Sequence, residues 1–202
     1  MKLYYSPGAC SLSPHIVARE AGIALDLVKV DLKARKLEDG GDYARINAKG
    51  YVPTLALDDG TLLTEGPAIV QYLADRAPAS GLAPANGTIE RYRLQEWLNF
   101  LTSEVHKSFS PLFNPQAAEG WKEAARANIA RRFDFLAERL GPSAYLMGER
   151  FTVADAYLFV LLNWCPWTGV DLGRWPALQA YHARVAARPK VQEALRAEGL
   201  AK

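Results

Sequence analysis

Cys10 is the residue of this sequence best placed for nucleophilic chemistry. It follows Pro7-Gly8-Ala9 and directly precedes a predicted helix. The positive end of a helix dipole, and N–H groups without intrahelical partners, would therefore face its sulfur. Such surroundings lower the pKa of a cysteine and favour the thiolate, which attacks electrophiles and disulfides. A small buried apolar side chain is the commoner role of a cysteine, but the strand-to-helix turn favours reactivity here.

Ser13 stands where a thioredoxin-like motif carries its second, resolving cysteine. Cys10-Ser11-Leu12-Ser13 has C-x-x-S spacing, so an internal disulfide cannot close there. This four-residue pattern is weakly specific by itself. Cys165, the other cysteine, ends a very apolar segment, and we expect it to be buried and unreactive.

Two further segments could hold a peptide beside the thiol. Pro53 opens a predicted strand after Val52, and a cis peptide bond there would turn the Val52 backbone outward to pair with an extended ligand. Glu65 precedes Gly66 at a helix start. Its carboxylate could bind an ammonium group, and the free N–H groups of the helix could bind a carboxylate. The alternative for Pro53 is an ordinary proline of an edge strand. The alternative for Glu65 is a carboxylate that only complements the dipole of the helix it precedes. With a thiolate nearby, the two segments suit γ-glutamyl-cysteinyl-glycine, which is glutathione.

The elements that must position these residues alternate between short strands and helices in the first 80 residues. Predicted strands cover residues 2–6, 25–30, 53–57 and 61–63, helices begin near Ser11 and Gly66, and a loop with a short helix joins the second and third strands. Ser11 can cap the first helix, which should continue to about Gly22. Asp58-Asp59-Gly60 favours a tight hairpin turn. The predicted order is therefore βαβ followed by ββα.

Beyond Pro78-Ala79-Ser80-Gly81 only helical periodicity is evident. Helices are predicted at about 88–115, 121–140, 153–164, 176–187 and 189–197. We therefore expect an α/β domain at residues 1–80 and an all-helical bundle at residues 87–202. Thr152, with Asp155 three residues later, predicts a capping box, which is a folding determinant rather than a catalytic pair.

Composition narrows the classes of function. With 24 basic and 22 acidic residues and no basic block, the chain lacks the electrostatic footprint of a nucleic-acid binder. It shows no signal peptide and no apolar stretch of membrane-spanning length, so we expect a cytoplasmic protein without a membrane partner. Three dispersed histidines and two distant cysteines predict no metal site. His15 and His182 fit helix faces, and we assign them structural or surface roles.

One array of segments makes the sequence resemble a known family over essentially its whole length. The array comprises Tyr5-Ser6-Pro7-Gly8-Ala9-Cys10-Ser11-Leu12, Val52-Pro53-Thr54, Glu65-Gly66 and Gly148-Glu149-Arg150-Phe151-Thr152-Val153-Ala154-Asp155. It closely resembles the bacterial beta-class glutathione transferases. The resemblance implies a thioredoxin-like, glutathione-binding first domain, a helical second domain with a hydrophobic co-substrate site, and a homodimer.

The resemblance also implies roles for single residues in the first domain. Cys10 matches the position at which the beta class carries cysteine, whereas most classes use Tyr or Ser, so Tyr4, Tyr5 and Ser6 become second choices. Arg35 or Lys36 matches a basic residue that pairs with the glycyl carboxylate, and register favours Arg35.

In the second domain, Asn99, Ser103 and His106 share one face of a predicted helix at i, i+4 and i+7. A polar stripe of this kind more often belongs to a solvated surface. The resemblance implies instead that the stripe faces the sulfur, with Lys107 beside it. His106 would then hydrogen-bond the thiol or thiolate. Glu104 would approach the γ-glutamyl amine within or across subunits. Four aromatic residues are candidates either for the co-substrate pocket or for plain core: Phe109, Phe113, Tyr157 and Trp164.

We therefore expect a glutathione S-transferase that joins the glutathione thiolate to hydrophobic electrophiles, with Cys10 and His106 as catalytic residues and glutathione as co-substrate rather than cofactor. Thiol-disulfide exchange through Cys10 could accompany this reaction. The alternatives are a protein that only sequesters apolar ligands, and a specialised catabolic lyase, dehalogenase or isomerase.

Overall fold

The computed structural model describes residues 1–201, which form two compact units. The first unit contains Met1–Ala83 and the segment from Ala187 onward, and the second contains Pro84–Ala186. The sequence-based division had assigned the last helix to the helical domain. That helix packs on the first helix of the chain, and this contact places it in the first unit.

The first unit is a five-stranded mixed sheet with helices packed against it. Its strands are β1 Lys2–Tyr5, β2 Asp26–Asp31, β3 Lys36–Leu37, β4 Thr54–Ala56 and β5 Leu62–Thr64, and its helices are α1 Leu12–Glu20, α2 Gly66–Arg76 and α9 Pro189–Ala197, with 3-10 turns at Tyr43–Arg45 and Pro78–Ser80. The strand order is β3-β2-β1-β4-β5. The predicted βαβ–ββα order is confirmed. The structure adds β3, which was not predicted because a strand of two residues is too short to show a sequence pattern.

Strand direction brings several loops to one edge of this sheet. β1 and β2 are parallel, whereas β4 is antiparallel to both β1 and β5. Tyr4, Thr54 and Thr64 lie in one row of the register. The chain therefore leaves β1, β2 and β5, and enters β4, at the same edge.

The core of the first unit follows from strand alternation and helix periodicity. Leu3 and Tyr5 of β1 are buried, as is Leu55 at the centre of β4. α1 buries Leu12 and Ile16 at helical spacing. Burial of these side chains fixes the two ends of the loop that carries Cys10.

Ser11 does not cap α1 as predicted. It precedes the helix with right-handed helical φ and ψ, and its side chain makes no capping bond. Its hydroxyl instead accepts from the Ser6 N–H at 3.1 Å and donates to the Ser6 carbonyl at 3.2 Å. The sequence pattern could not distinguish a cap from this bond back to the end of β1.

The second unit is helical. Its α-helices are α3 Ile89–Phe100, α4 Lys107–Phe113, α5 Glu119–Leu140, α6 Val153–Asn163, α7 Cys165–Thr168 and α8 Pro176–Ala186, with a π-helix at Leu101–His106 and a 3-10 turn at Leu172–Arg174. Buried residues run without a break from Phe151 to Leu162, which makes α6 the centre of the unit. Thr152 and Asp155 form the predicted capping box at its start. No helix within residues 1–201 is both long and apolar enough to cross a membrane.

Candidate functional site

Cys10 lies at the shared sheet edge, in the turn between β1 and α1. Its thiol is partly exposed and donates a hydrogen bond to the Val52 carbonyl at 3.3 Å. The Val52-Pro53 peptide bond is cis, as predicted. The sequence-predicted thiol and the predicted peptide-binding turn are therefore in direct contact.

Ser13 supports Cys10 from the helix side. Its hydroxyl donates to the Cys10 carbonyl at 2.8 Å, and the side chain is almost fully buried. The position of a resolving cysteine is thus occupied by a hydroxyl that holds the Cys10 backbone.

The turn at Val52 is held by two residues that sequence reasoning missed. Tyr43 is completely buried, and its hydroxyl donates to the Tyr51 carbonyl at 3.1 Å and bonds with Thr54 Oγ1 at 2.8 Å. Asn47 Nδ2 donates to the same two oxygens, at 2.8 and 3.1 Å. Both residues come from a polar loop without periodicity, so no sequence signal separated them from their neighbours.

Glu65 lies at the start of α2 with a left-handed φ of 70°, which is unusual for a residue with a side chain. Its carboxylate accepts from Lys49 Nζ at 2.5 Å and from the Tyr51 hydroxyl at 3.3 Å. The bond to Glu65 raises the pKa of Lys49. A ligand ammonium would therefore have to share the Glu65 carboxylate with Lys49.

Gly66 lies against the predicted proline turn. A Cβ at Gly66 would be 3.9 Å from Cγ of Pro53. The first N–H groups of a helix have no intrahelical partner. The first N–H groups of α2 therefore lie close to Pro53, the residue that follows Val52.

Arg35 and Lys36 have different positions at the edge of the sheet. Arg35 lies in the turn after β2, and a Cβ at Gly50 would be 3.5 Å from its guanidinium carbon. Lys36 belongs to β3 and pairs with Asp31 in the strand register. The Arg35 guanidinium therefore lies beside Gly50, two residues before Val52.

The predicted polar stripe of the second unit is not uniform. Asn99 and Ser103 are exposed, and the Ser103 hydroxyl donates back to the Asn99 carbonyl at 3.0 Å. His106 is partly buried. Ser103 and His106 belong to a π-helix, Leu101–His106, which follows the helix that carries Asn99.

His106 is held by aromatic residues. Its Nδ1 lies 2.6 Å from the Tyr157 hydroxyl, and its ring centroid lies 4.8 Å from that of Trp164. Burial, with a smaller contribution from the charge of Lys107, lowers the pKa of His106 to about 4. The imidazole is therefore neutral at physiological pH. The tautomer of His106 decides which of the two groups donates: with the ring proton on Nε2, the Tyr157 O–H donates to Nδ1.

Glu104 is paired within its own unit. Its Oε2 accepts from Nε of Arg132 at 2.9 Å and from Nη2 at 2.5 Å. Any ligand amine would have to share this carboxylate with Arg132. Lys107, which begins α4, is exposed.

Of the four aromatic candidates, Phe109 and Phe113 contact Trp164, whereas Tyr157 contacts His106. Phe109 and Phe113 meet its ring at centroid distances of 5.6 and 5.4 Å. Phe109 is fully buried, whereas Phe113 is 47% exposed. Phe109 therefore belongs to the core, and Phe113 is the member that could touch a co-substrate.

Two cavities of the second unit differ in their relation to the predicted residues. One of about 310 Å³ is lined by Ser103 and Lys107, together with residues of α4 and α5 that include Trp121. Another of about 430 Å³ is lined by Trp97, Phe100 and Phe135, and includes none of the predicted residues. Within residues 1–201, no three His, Cys, Asp or Glu side chains are grouped so as to hold a metal ion.

Comparison with known proteins yields one family. The family model "Glutathione S-transferase, N-terminal domain" matches residues 8–76, and "Glutathione S-transferase, C-terminal domain" matches residues 100–189. Glutathione S-transferase GstA of Escherichia coli O157:H7 is 48% identical over 200 residues, which are 99% of this chain and all of the relative.

Two solved structures extend this result. A sphingomonad glutathione S-transferase complexed with glutathione is 50% identical, with a TM-score of 0.96 and full coverage of both chains. A bacterial beta-class glutathione S-transferase of Sphingomonas chungbukensis is also 50% identical, with a TM-score of 0.96 over 99% of this chain and all of that one.

Proposed function

We propose a reaction for this chain from the premise that it belongs to the glutathione S-transferase family, in its beta class. The enzyme is a glutathione S-transferase, and glutathione is the co-substrate of the family. The proposed reaction is conjugation of glutathione to hydrophobic electrophilic small molecules, by a homodimer in the cytoplasm.

The observation that carries this proposal is the contact between the Cys10 thiol and the Val52 carbonyl. This contact supports the proposal because it puts a sulfur beside the Val52 turn, whose backbone groups pair with the peptide in the proposed site. Glu65 and Gly66 lie on the adjoining element, and Arg35 reaches toward the same turn. An extended tripeptide with an ammonium group, a central thiol and a terminal carboxylate matches this order of groups.

The proposed site comprises a catalytic pair and a set of binding residues. Cys10 and His106 are catalytic, each through a hydrogen bond to the glutathione sulfur. The binding residues are Arg35, Val52, Pro53, Glu65, Gly66, Asn99, Ser103, Glu104 and Lys107. Arg35 pairs with the glycyl carboxylate, Val52 pairs with the cysteinyl backbone, and Glu65 binds the γ-glutamyl ammonium.

The chemistry is a nucleophilic substitution by sulfur. Glutathione loses its thiol proton to solvent, and the thiolate attacks the electrophilic carbon as the leaving group departs with its bonding pair. Hydrogen bonds to the sulfur favour the thiolate and so lower the pKa of the bound thiol. A neutral His106 with its proton on Nε2 is suited to this role, because it donates a hydrogen bond without holding the transferred proton.

A second activity, thiol-disulfide exchange, is favoured by Ser13. The Cys10 thiolate attacks a mixed disulfide of glutathione, forms a Cys10–glutathione disulfide and releases the other thiol. A second glutathione thiolate then attacks this disulfide, and oxidised glutathione leaves as the Cys10 thiolate is restored. Without a resolving cysteine at position 13, the external thiol is required.

Replacement of Cys10 by alanine tests both activities. We expect loss of hydroxyethyl disulfide reduction, because the nucleophile is gone. Conjugation of a chlorodinitrobenzene should fall by only about fivefold to tenfold, the effect of one hydrogen bond of about 1 kcal/mol. Absence of glutathione binding by calorimetry in the wild type would overturn the proposed function. Binding of apolar ligands without turnover would favour sequestration instead.

A further inference from the structure

Most of the proposed site residues of the second unit lie in or next to a π-helix. Glu104 and His106 belong to this segment, and Lys107 begins the helix that follows it. A π-turn bonds residue i with residue i+5, whereas an α-turn bonds residue i with residue i+4. One residue of a regular α-helix corresponds to about 100° of rotation. Return of the segment to α geometry would therefore turn His106 and Lys107 to another side of the helix relative to Asn99.

Two hydroxyl groups bond back to carbonyls at the two ends of the π-helix. Thr102 Oγ1 donates to the Leu98 carbonyl at 2.8 Å, and Ser108 Oγ donates to the Glu104 carbonyl at 2.5 Å. A hydroxyl that bonds to the carbonyl four residues earlier competes with the backbone for that carbonyl and often bends a helix. Both bonds are local to the segment. They therefore do not hold the π-helix against the rest of the second unit.

Arg132 of α5 holds the side chain of Glu104. Its Nε and Nη2 both donate to Oε2 of Glu104, at 2.9 and 2.5 Å. Among the residues that the structure describes, none donates a hydrogen bond to Oε1 of Glu104. A carboxylate accepts hydrogen bonds at both of its oxygens. The contact with Arg132 therefore leaves Oε1 as the acceptor for a ligand ammonium.

Asn128 lies one turn before Arg132 on α5 and bonds with Ser108, which lies one turn after Glu104. Asn128 Nδ2 donates to the Ser108 hydroxyl at 2.6 Å, and Asn128 Oδ1 accepts from Arg131 Nη2 at 3.1 Å. Both ends of the amide thus have partners, which sets its orientation. Two residues of α5 at i and i+4 therefore hold two residues at i and i+4 on the facing segment.

We propose that Arg132 and Asn128 are positioning residues for glutathione binding: they fix the π-helix against α5, and Arg132 presents Oε1 of Glu104 to the γ-glutamyl ammonium. The inference rests on the proposed function for its ligand. The side chains of Arg132 and Glu104 are 31% and 42% exposed, and ion pairs this exposed contribute little to stability. We therefore expect loss of Arg132 to change ligand binding more than unfolding.

The first test compares Arg132→Ala with Arg126→Ala. Arg126 is also on α5, but it pairs with Glu119 of the same helix at 2.9 Å, so the control removes an equal charge away from the π-helix. For Arg132→Ala we expect the Kd for glutathione, measured by calorimetry, to rise about fivefold. KM should rise equally, with kcat within about twofold of the wild type, because the contact is to a part of glutathione that does not react. Arg126→Ala should bind glutathione as the wild type does.

The direction of the change decides between two roles for Arg132. Tighter glutathione binding by Arg132→Ala would show that Arg132 competes with the ligand for Glu104, and would overturn the proposal. Unchanged binding by Arg132→Ala would overturn it as well. Arg132→Lys should recover part of the lost affinity, because an ammonium group can still hold one carboxylate oxygen.

A double-mutant cycle tests whether Arg132 acts through Glu104. Glu104→Ala should weaken glutathione binding at least as much as Arg132→Ala. Addition of Arg132→Ala to Glu104→Ala should then change the Kd by less than about twofold, because the carboxylate that Arg132 positions is absent. Losses that simply multiply in the double variant would overturn the proposal.

Hydrogen exchange of the free protein tests the contact between α5 and the π-helix without glutathione. In Asn128→Ala and in Arg132→Ala, the amides of residues 103–108 should exchange at least about threefold faster, while those of α6 keep their wild-type rates. Unchanged exchange at 103–108, or equally faster exchange in α6, would overturn the proposal. Faster exchange confined to 103–108, in a protein whose wild type binds no glutathione, would reject the proposed function and still support the contact.

Discussion

The Cys10 thiol donates to the Val52 carbonyl across 3.3 Å, and this bond joins the end of β1 to the start of β4. A peptide that pairs with the Val52 backbone must therefore bring its own groups next to the Cys10 sulfur. In the proposed site, recognition of the peptide is therefore linked to contact with its thiol, because the same turn serves both.

Loss of the Tyr43 hydroxyl should weaken the Val52 turn. Tyr43→Phe removes the bonds to the Tyr51 carbonyl and to Thr54, and a buried hydrogen bond of this kind contributes about 1 kcal/mol. We expect a similar decrease in the free energy of unfolding in urea, and weaker glutathione binding by calorimetry. Tyr92→Phe is the control, since Tyr92 is 58% exposed and lies in the other unit.

Neutralisation of Glu65 should weaken glutathione binding. Glu65→Gln keeps the shape of the side chain but removes the charge that attracts an ammonium group, and we expect an affinity loss of about tenfold. Glu119→Gln is a matched control, because Glu119 also pairs with a basic side chain but lies in the second unit. Equal affinities of Glu65→Gln and the wild type would contradict the assigned role.

His106 should make stability depend on pH. Its pKa is lowered to about 4 by burial and by Lys107, whereas the unfolded chain has the ordinary value of about 6.5. Between these values the unfolded state binds more protons, so stability is full above about pH 6.5 and falls as the pH drops toward 4. The loss is on the order of 2–3 kcal/mol.

Urea unfolding of the wild type and of His106→Gln at pH 7.5 and pH 5 would measure this effect. The wild type should lose more stability than the variant on acidification, because the variant lacks the titrating group. Parallel losses in the two proteins would show that His106 does not titrate as described.

Tyr157 should set the tautomer of His106. Tyr157→Phe removes the donor to Nδ1, and we expect kcat to fall about fivefold with KM for glutathione unchanged, as for one lost hydrogen bond. Nitrogen NMR of the wild type should show a protonated Nε2 and an unprotonated Nδ1. A protonated Nδ1 would reverse the assignment.

The capping box should matter for folding and not for chemistry. Asp155 is buried and accepts from the Thr152 and Leu146 N–H groups and from the Tyr181 hydroxyl. Asp155→Ala should lower the free energy of unfolding by about 3 kcal/mol or more, and Thr152→Ala by about 1 kcal/mol. KM for glutathione should not change in the folded fraction of either variant.

The sequence by itself determined the parts of this protein that depend on neighbouring residues. Strand alternation, the Asp59-Gly60 turn and helical periodicity predicted the βαβ–ββα order and the helical half. The Cys10 turn, Pro53 and Glu65 carried local signals, so the sequence could predict roles for them. Thr152 and Asp155 were recognised for the same reason, since a capping box spans only four residues.

Only the tertiary structure decided which distant groups support these residues. Ser11 bonds back to Ser6 rather than capping α1, and His106, at the end of a π-helix, bonds with Tyr157 of another helix. Glu198 meets Gly8 across nearly the whole chain. No periodicity or spacing in the sequence predicts such contacts, because a buried polar atom bonds with whichever partner the packed fold brings within hydrogen-bond distance.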